Sequence, residues 1–180
     1  MKAIRVEKQG GPEVLKLEEV APLEAPGPGQ AVVRIVTAGV NFVDVGQRRG
    51  TYPRQVPFIP GLEGSGVVEA VGEGVHNVKP ADRVAFTGLP DAYSEAILAD
   101  AARLIPLPEE FTFEEGAAFP LQGLTAHYLI HEFRQPVPGS FVLIADPVSP
   151  NALMPNALTV SGGSLQNYLR TREEFFFRPK

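Results

Sequence analysis

The chain has no cysteine among its 180 residues. That excludes disulfides and thiolate metal ligands, and it suits a cytoplasmic protein. It also lacks an apolar run near the ~18 residues of a membrane span. The N-terminus, Met1-Lys-Ala-Ile-Arg5, alternates like a strand and has no signal-peptide apolar stretch. There is no internal repeat. A net charge of −5, with Arg48-Arg49 as the adjacent basic pair, argues against a nucleic-acid binder, because phosphate neutralisation needs clustered cations. That pair reads as a solvated turn.

A glycine-rich phosphate loop is also missing. Such a loop must follow a strand and open a helix, so that backbone amides and the helix dipole meet the pyrophosphate. The strand Ser140-Phe-Val-Leu-Ile144 arrives where one would begin, but Ala145-Asp-Pro-Val-Ser-Pro150 follows it. Gly61 to Gly66 (GLEGSG) precedes a strand instead, and Gly162-Gly-Ser164 has no apolar helix behind it. No Gly-x-Ser-x-Gly nucleophile elbow occurs.

What is present is ample core material and frequent punctuation. Hydrophobic residues make up 44% of the chain, enough to build a core, and the 18 glycines and 18 prolines are spread along it as turns rather than gathered in a disordered tract. The first ~100 residues read as β-rich. Strands are predicted at Lys2 to Val6, Val14 to Glu18, Gln30 to Ala38 (QAVVRIVTA), Gly64 to Val71, Arg83 to Phe86 and Ala92 to Leu98. Short strands with closely spaced turns point to a small barrel. Helical signals come later. Thr112-Phe-Glu-Glu115 reads as an N-cap with an acidic first turn, running to Phe119 and stopped by Pro120. Leu124 to Phe133 has a helical apolar rhythm. Its His127 and His131 sit at i, i+4 but have no third ligand nearby, and read as helix-surface residues rather than zinc ligands. Ala157 to Val160 reads as a strand, and Thr171-Arg-Glu-Glu174 fits a capping box ahead of Phe175-Phe-Phe177.

One group of segments is distinctive: GVNFVDVGQRRGTYP from Gly39 to Pro53, FIPGLEGSG from Phe58 to Gly66, PLQGLTAHY from Pro120 to Tyr128, and the opening Gly10-Gly-Pro-Glu-Val14. Together they resemble the zinc-independent quinone oxidoreductases, the zeta-crystallin-like branch of the medium-chain dehydrogenases/reductases. The resemblance covers residues 1–144. It implies an α+β fold, mainly β: a GroES-like, partly open β-barrel with flanking helices. Residues 145–174 resemble a stretch from far downstream in the same family. The expected organisation is therefore a substrate-side domain over 1–144 and a nucleotide-domain remnant over 145–180. Most of a Rossmann core is expected to be absent between Ile144 and Ala145, since too few residues follow to build a domain of roughly 100–150 residues.

The resemblance also implies chemistry. Zinc-dependent branches place Gly-His-Glu where this chain has Gly61-Leu62-Glu63, so no metal is expected. The implied activity of the parent family is NADPH-dependent hydride transfer to quinones or activated enones, in which the pocket mainly orients its reactants. Asn41, Phe42, Asp44 and Tyr52 would line the nicotinamide and substrate cleft. Gln122 and Thr125 would face the carboxamide from the opposite wall. Gly46, where other members place an aromatic residue, implies a wider pocket. Each residue keeps an ordinary reading beside this one: Asn41 as a turn residue, Phe42 as core, Tyr52 as a loop anchor before Pro53. For this chain alone, NADPH binding and activity are expected to be weak or lost. The alternative reading is a non-catalytic folded module or a self-associating fragment, the latter a homo-oligomer.

Overall fold

The structure is a computed structural model that describes residues 1–133, 141–144 and 158–161. It falls into two compact units, Met1–Leu124 and Thr125–Lys180.

The first unit is built on a five-stranded antiparallel sheet. Its strands are β3 (Gln30–Gly39), β4 (Glu63–Val71), β5 (Arg83–Thr87), β6 (Ala96–Asp100) and β7 (Ile105–Pro106), in the order β6-β3-β4-β5-β7. A separate two-stranded sheet pairs β1 (Lys2–Arg5) with β2 (Lys16–Glu19). The five-stranded order has two free ends, so the sheet is open rather than a closed barrel. Successive side chains alternate across a strand, and the inward positions carry the core. Ala31 and Val33 of β3 face Ala99 and Ile97 of β6, and Val68, Val84, Phe86 and Leu104 complete the buried cluster. Register shifts between Val32/Val33 and Ile35/Thr37 bend β3 against β4. Gly66 lies in this bend, where a Cβ would stand 2.0 Å from the Arg34 carbonyl oxygen; only glycine lets the two backbones come so close.

The strand expected over Ala92 to Leu98 is displaced, and β6 begins at Ala96. Ala92 and Tyr93 donate their backbone N–H groups to Gly61 and Pro60 instead of joining the β3 ladder. A second difference lies at residues 42–49, which form the helix α1 (Phe42–Arg49). Gly50 closes it in the left-handed conformation, φ 84°, which glycine adopts without strain. Arg48, expected on a solvated turn, is instead buried in this helix.

The Thr112 cap is present. Thr112 Oγ1 accepts from Glu115 N at 3.1 Å, and Glu115 Oε2 accepts from Thr112 N at 2.9 Å, a reciprocal capping box that opens α2 (Phe113–Ala118). Small residues on the buried face of α2, Gly116 and Ala117, let the helix lie close to the sheet. Pro120 does more than stop it: α3 (Pro120–Tyr128) begins there, with proline in the first turn, where its missing N–H costs nothing. A π-helical turn, Leu129–Phe133, continues it.

In the second unit, β8 (Phe141–Ile144) pairs antiparallel with β9 (Leu158–Ser161). The expected capping box at Thr171–Glu174 and the run Phe175–Phe177 lie outside the described residues.

Candidate functional site

The sequence places Asn41 one residue before α1, and the fold puts it where three elements converge. Its backbone N–H donates to Asp44 Oδ2 at 2.9 Å, so the acid at the third helical position closes the N-terminus. The Asn41 side chain faces the Asp44 backbone N–H in the reciprocal half of this capping box and takes further partners as well. Its Nδ2 donates to Glu63 Oε2 at 2.8 Å, across to the first residue of β4. Glu63 Oε1 in turn accepts from the backbone N–H of Leu121 at 2.6 Å, in the first turn of α3. A carboxylate there satisfies a helix-end donor and sits favourably against the helix dipole. From the same turn, Gln122 Nε2 reaches Asn41 Oδ1 at 3.5 Å. Loop, strand and helix are thus joined through one buried carboxylate, 1% exposed.

A second carboxylate lies beside the first. Asp44 is 4% exposed and also accepts from the Tyr93 hydroxyl at 3.1 Å. Burial pushes its carboxyl above the usual range, while the amides of Asn41 and Gly61, the Tyr93 hydroxyl and the charge of Arg54 pull it back. Glu63 is raised in the same way, chiefly by burial and further by the Asp44 charge, against its bonds from Asn41 and Leu121. The Tyr93 phenol is pushed well up by burial and by the Asp44 charge, so it stays protonated and donating.

These shifts set a pH dependence. An acid with a raised folded pKa holds its proton where the unfolded chain has released it. Its contribution to stability is therefore complete below the ordinary carboxylate range and is lost as pH rises through the folded midpoint. The melting temperature is expected to fall as pH rises above the ordinary carboxylate range, and the slope to flatten in Glu63→Gln. A slope unchanged by that substitution would contradict the assignment to Glu63.

Of the residues predicted from sequence, Asn41, Asp44 and Gln122 are brought into one hydrogen-bonded group. Phe42 and Tyr52 form a pair beside it, edge to face, with ring centroids 6.4 Å apart. They are 49% and 44% exposed, so neither is core. The room at Gly46 is taken up by Tyr52 itself, whose ring carbon Cδ2 would stand 2.1 Å from a Cβ at that position. Thr125 is exposed, three residues beyond Gln122 on α3, and opens the second unit.

Sequence reasoning did not single out Glu63 or Tyr93 as site residues. Glu63 was visible as a charge inside the glycine-rich, apolar run FIPGLEGSGVV, a signal of a paired buried acid. Tyr93 carried no such signal, because its partner Asp44 is 49 residues away.

Two further features bear on ligands. The glycines from Gly61 to Gly66 are packed by the chain's own atoms. A Cβ at Gly61 would meet the Tyr93 ring at 2.4 Å, and one at Gly64 would meet Phe86 at 2.8 Å. Their smallness serves the internal packing of the fold. An open cavity of about 500 Å³ is lined by Arg5, Arg54, Phe58, Ile59 and Asp91, among others, and by none of the six predicted residues. Its arginines already have partners, Arg5 with Glu7 at 2.9 Å and Arg54 with Asp91 at 3.3 Å.

Among the described residues, no group of three or more His, Cys, Asp or Glu is placed to hold a metal, and no helix is long and apolar enough to cross a membrane.

Residues 27–138 match the family model of the alcohol dehydrogenase GroES-like domain. The chain is 44% identical over 135 residues to the quinone oxidoreductase of Pseudomonas aeruginosa, which covers 73% of this chain and 41% of that protein. It is 40% identical over 138 residues to the rat synaptic vesicle membrane protein VAT-1 homolog, covering 75% of this chain and 34% of the relative. The Escherichia coli quinone oxidoreductase, solved in complex with NADPH, superposes with a TM-score of 0.74 at 35% identity, over 78% of this chain and 43% of that one. The chain thus spans less than half the length of these relatives. With an open antiparallel sheet, a helix capped between β3 and β4, and a matched family model across most of the first unit, the chain belongs to the alcohol dehydrogenase GroES-like domain family, in the company of the quinone oxidoreductases.

Proposed function

We propose that this chain supplies the substrate-side wall of an oxidoreductase whose reaction is NADPH-dependent hydride transfer to a quinone or an activated enone. The observation that carries the reading is the Asn41–Glu63–Leu121 hydrogen-bonded group beside the exposed Phe42–Tyr52 pair. A flat apolar edge next to a fixed amide suits a planar conjugated carbonyl compound, which needs orientation more than activation. NADPH would supply the hydride when bound. This chain's residues would hold the acceptor, with Asn41, Gln122 and Tyr52 offering polar contacts, Phe42 offering a ring face, and Asp44 fixing the Asn41 backbone. Thr125 is proposed as a further polar contact to the carboxamide. Leu62 in place of histidine supports a zinc-independent route.

The chain on its own is proposed to bind NADPH weakly and to turn over weakly or not at all. Support comes from the glycines of Gly61 to Gly66, which are spent on internal packing. Substrate-side residues 1–144 would then depend on a nucleotide domain that residues 145–180 supply only as a remnant. The test is NADPH oxidation with a small quinone by the purified chain, with cofactor binding measured in parallel. Turnover at rates typical of enzymes, about 1–1000 per second, would overturn the proposal.

A second reading is a non-catalytic module that self-associates. Val40 at 76% exposure, with Phe42, Tyr52 and Leu124 each above 40%, leaves apolar surface of the kind that favours association. It is expected to show as a concentration-dependent shift in size-exclusion elution; a monomer at every concentration counts against it.

A further inference from the structure

We infer that Glu63 is a positioning residue that determines which end of the Asn41 amide the site presents to a ligand. An asparagine amide has an accepting oxygen at one end and a donating NH₂ at the other, nearly identical in shape. Steric fit alone therefore does not choose between them; a neighbour of fixed polarity must. Glu63 is that neighbour at the NH₂ end, and the Asp44 backbone N–H in the capping box acts in the same sense at the oxygen end. Both of its carboxylate oxygens act as acceptors, Oε1 for the Leu121 N–H at 2.6 Å and Oε2 for Asn41 Nδ2 at 2.8 Å. An ionised carboxylate has no donor to offer, so Asn41 turns its NH₂ inward. Its Oδ1 then points the other way, toward Gln122 Nε2 at 3.5 Å. Asn41 is only 7% exposed and its oxygen also faces the Asp44 N–H, but the Gln122 contact is long and Gln122 is exposed, so an incoming group that displaces Gln122 would meet this oxygen.

The surroundings keep Glu63 in place. It is 1% exposed. On the β3 side stands Gly39, where a Cβ would lie 3.0 Å from Glu63 Oε2 and 2.3 Å from the Ala117 carbonyl oxygen, so the carboxylate occupies space that any larger residue at 39 would take. The charged group acting on it from α1 is Asp44. The acidic residues of α2, Glu114 and Glu115, are exposed, and the first turn of α3 carries no acid. The Leu121 amide is fixed by the backbone of α3 and donates only. The polarity of the group is thus set at its helix end and transmitted through Glu63 to Asn41.

The consequence deepens the proposed function and depends on it for its meaning. At Asn41 the site selects a ligand group that carries an N–H or O–H, such as a carboxamide NH₂ or a phenolic hydroxyl. A bare carbonyl oxygen meets like polarity there, and its donor must come from Gln122 or Tyr52.

The test is NMR of the side-chain amides in the full chain, without cofactor or quinone. In the unaltered protein, the Asn41 NH₂ protons are expected to show contacts to the Glu63 methylenes. The Asn41 side-chain nitrogen is expected to shift as the Glu63 carboxyl is titrated. In Glu63→Gln, the glutamine oxygen accepts from Leu121 and its NH₂ donates to Asn41 Oδ1, so the Asn41 amide turns over. Its NH₂ contacts are expected to move from residue 63 to Gln122, and its proton exchange to quicken about tenfold with the loss of a charge-assisted hydrogen bond. A folded Glu63→Gln chain with unchanged Asn41 contacts would overturn the inference. If that variant does not fold, the titration decides: an Asn41 nitrogen that does not respond as Glu63 titrates overturns it equally. Neither readout uses turnover, so the proposed activity can fail while this inference stands, and the reverse.

Discussion

Replacing Glu63 with leucine is expected to lower the unfolding free energy of the first unit by about 2–5 kcal/mol. Leucine removes the acceptor of two N–H groups at once, those of Asn41 Nδ2 and Leu121. Each buried donor left without a partner costs about 1–3 kcal/mol. Part of this is offset, because the carboxylate itself was costly to bury, as its raised pKa records. The loss still dominates, since the donors on Asn41 and α3 remain and leucine cannot serve them. Glu63→Gln keeps one acceptor and gains a donor that Asn41 can accept by turning over, so its cost is expected to stay near about 1 kcal/mol. Urea denaturation of both variants measures the difference. If leucine proves as well tolerated as glutamine, Glu63 joins nothing, and the convergence of loop, strand and helix would not depend on it.

The other large effect is expected at Phe86. Its side chain is 0% exposed and lies in the cluster with Val33, Val68, Val84 and Ile97. Phe86→Ala removes most of that side chain from a packed interior and is expected to cost about 3–5 kcal/mol, the transfer term plus the cavity. A domain of this size has about 5–15 kcal/mol in hand, so the variant would stand near the edge of folding at 37 °C. Phe86 also bounds Gly64, where a Cβ would meet its ring at 2.8 Å, so the cavity opens next to the start of β4 and beside Glu63. Leu17→Ala is the control. Leu17 is 66% exposed on β2, and its loss is expected to fall within about 0.5 kcal/mol of zero. Equal midpoints for Phe86→Ala and Leu17→Ala would contradict the core described above.

The sheet was legible where strands carry their own signal. QAVVRIVTA is dense in β-branched residues and forms β3, and the run from Gly64 forms β4 almost to the residue. The resemblance to zeta-crystallin-like quinone oxidoreductases rested on local segments, and the family match and the superposed structures agree with it. Helix α1 was harder to see. FVDVGQRR has a central glycine and two β-branched valines, all weak helix formers. What holds it is the closure at both ends, with Asp44 on the Asn41 amide and Gly50 at the C-terminus. The pattern Asn41-x-x-Asp44 followed by Gly50 does encode those ends, so this helix could have been found from its caps rather than its interior. Arg48 was misplaced for the same reason: without the helix, an Arg-Arg pair before glycine reads as a turn.

The site was legible in part. Asn41, Asp44 and Gln122 come together, yet the group that joins them is Glu63, whose partner Leu121 lies 58 residues away. No local pattern reports such a distance. Tyr93 is similar: its chain leaves the β3 ladder to bond to Pro60 and Gly61, and that detour carries its hydroxyl to Asp44. Position in the fold, not residue type, makes these two functional candidates.

The proposal that this chain forms the substrate wall without a cofactor cradle is tested most directly by titrating NADPH into the purified chain. The expected result is no saturation below about millimolar concentration, equivalent to a binding free energy weaker than about −4 kcal/mol. Saturable binding of one NADPH per chain with a Kd near about 1 μM would contradict it.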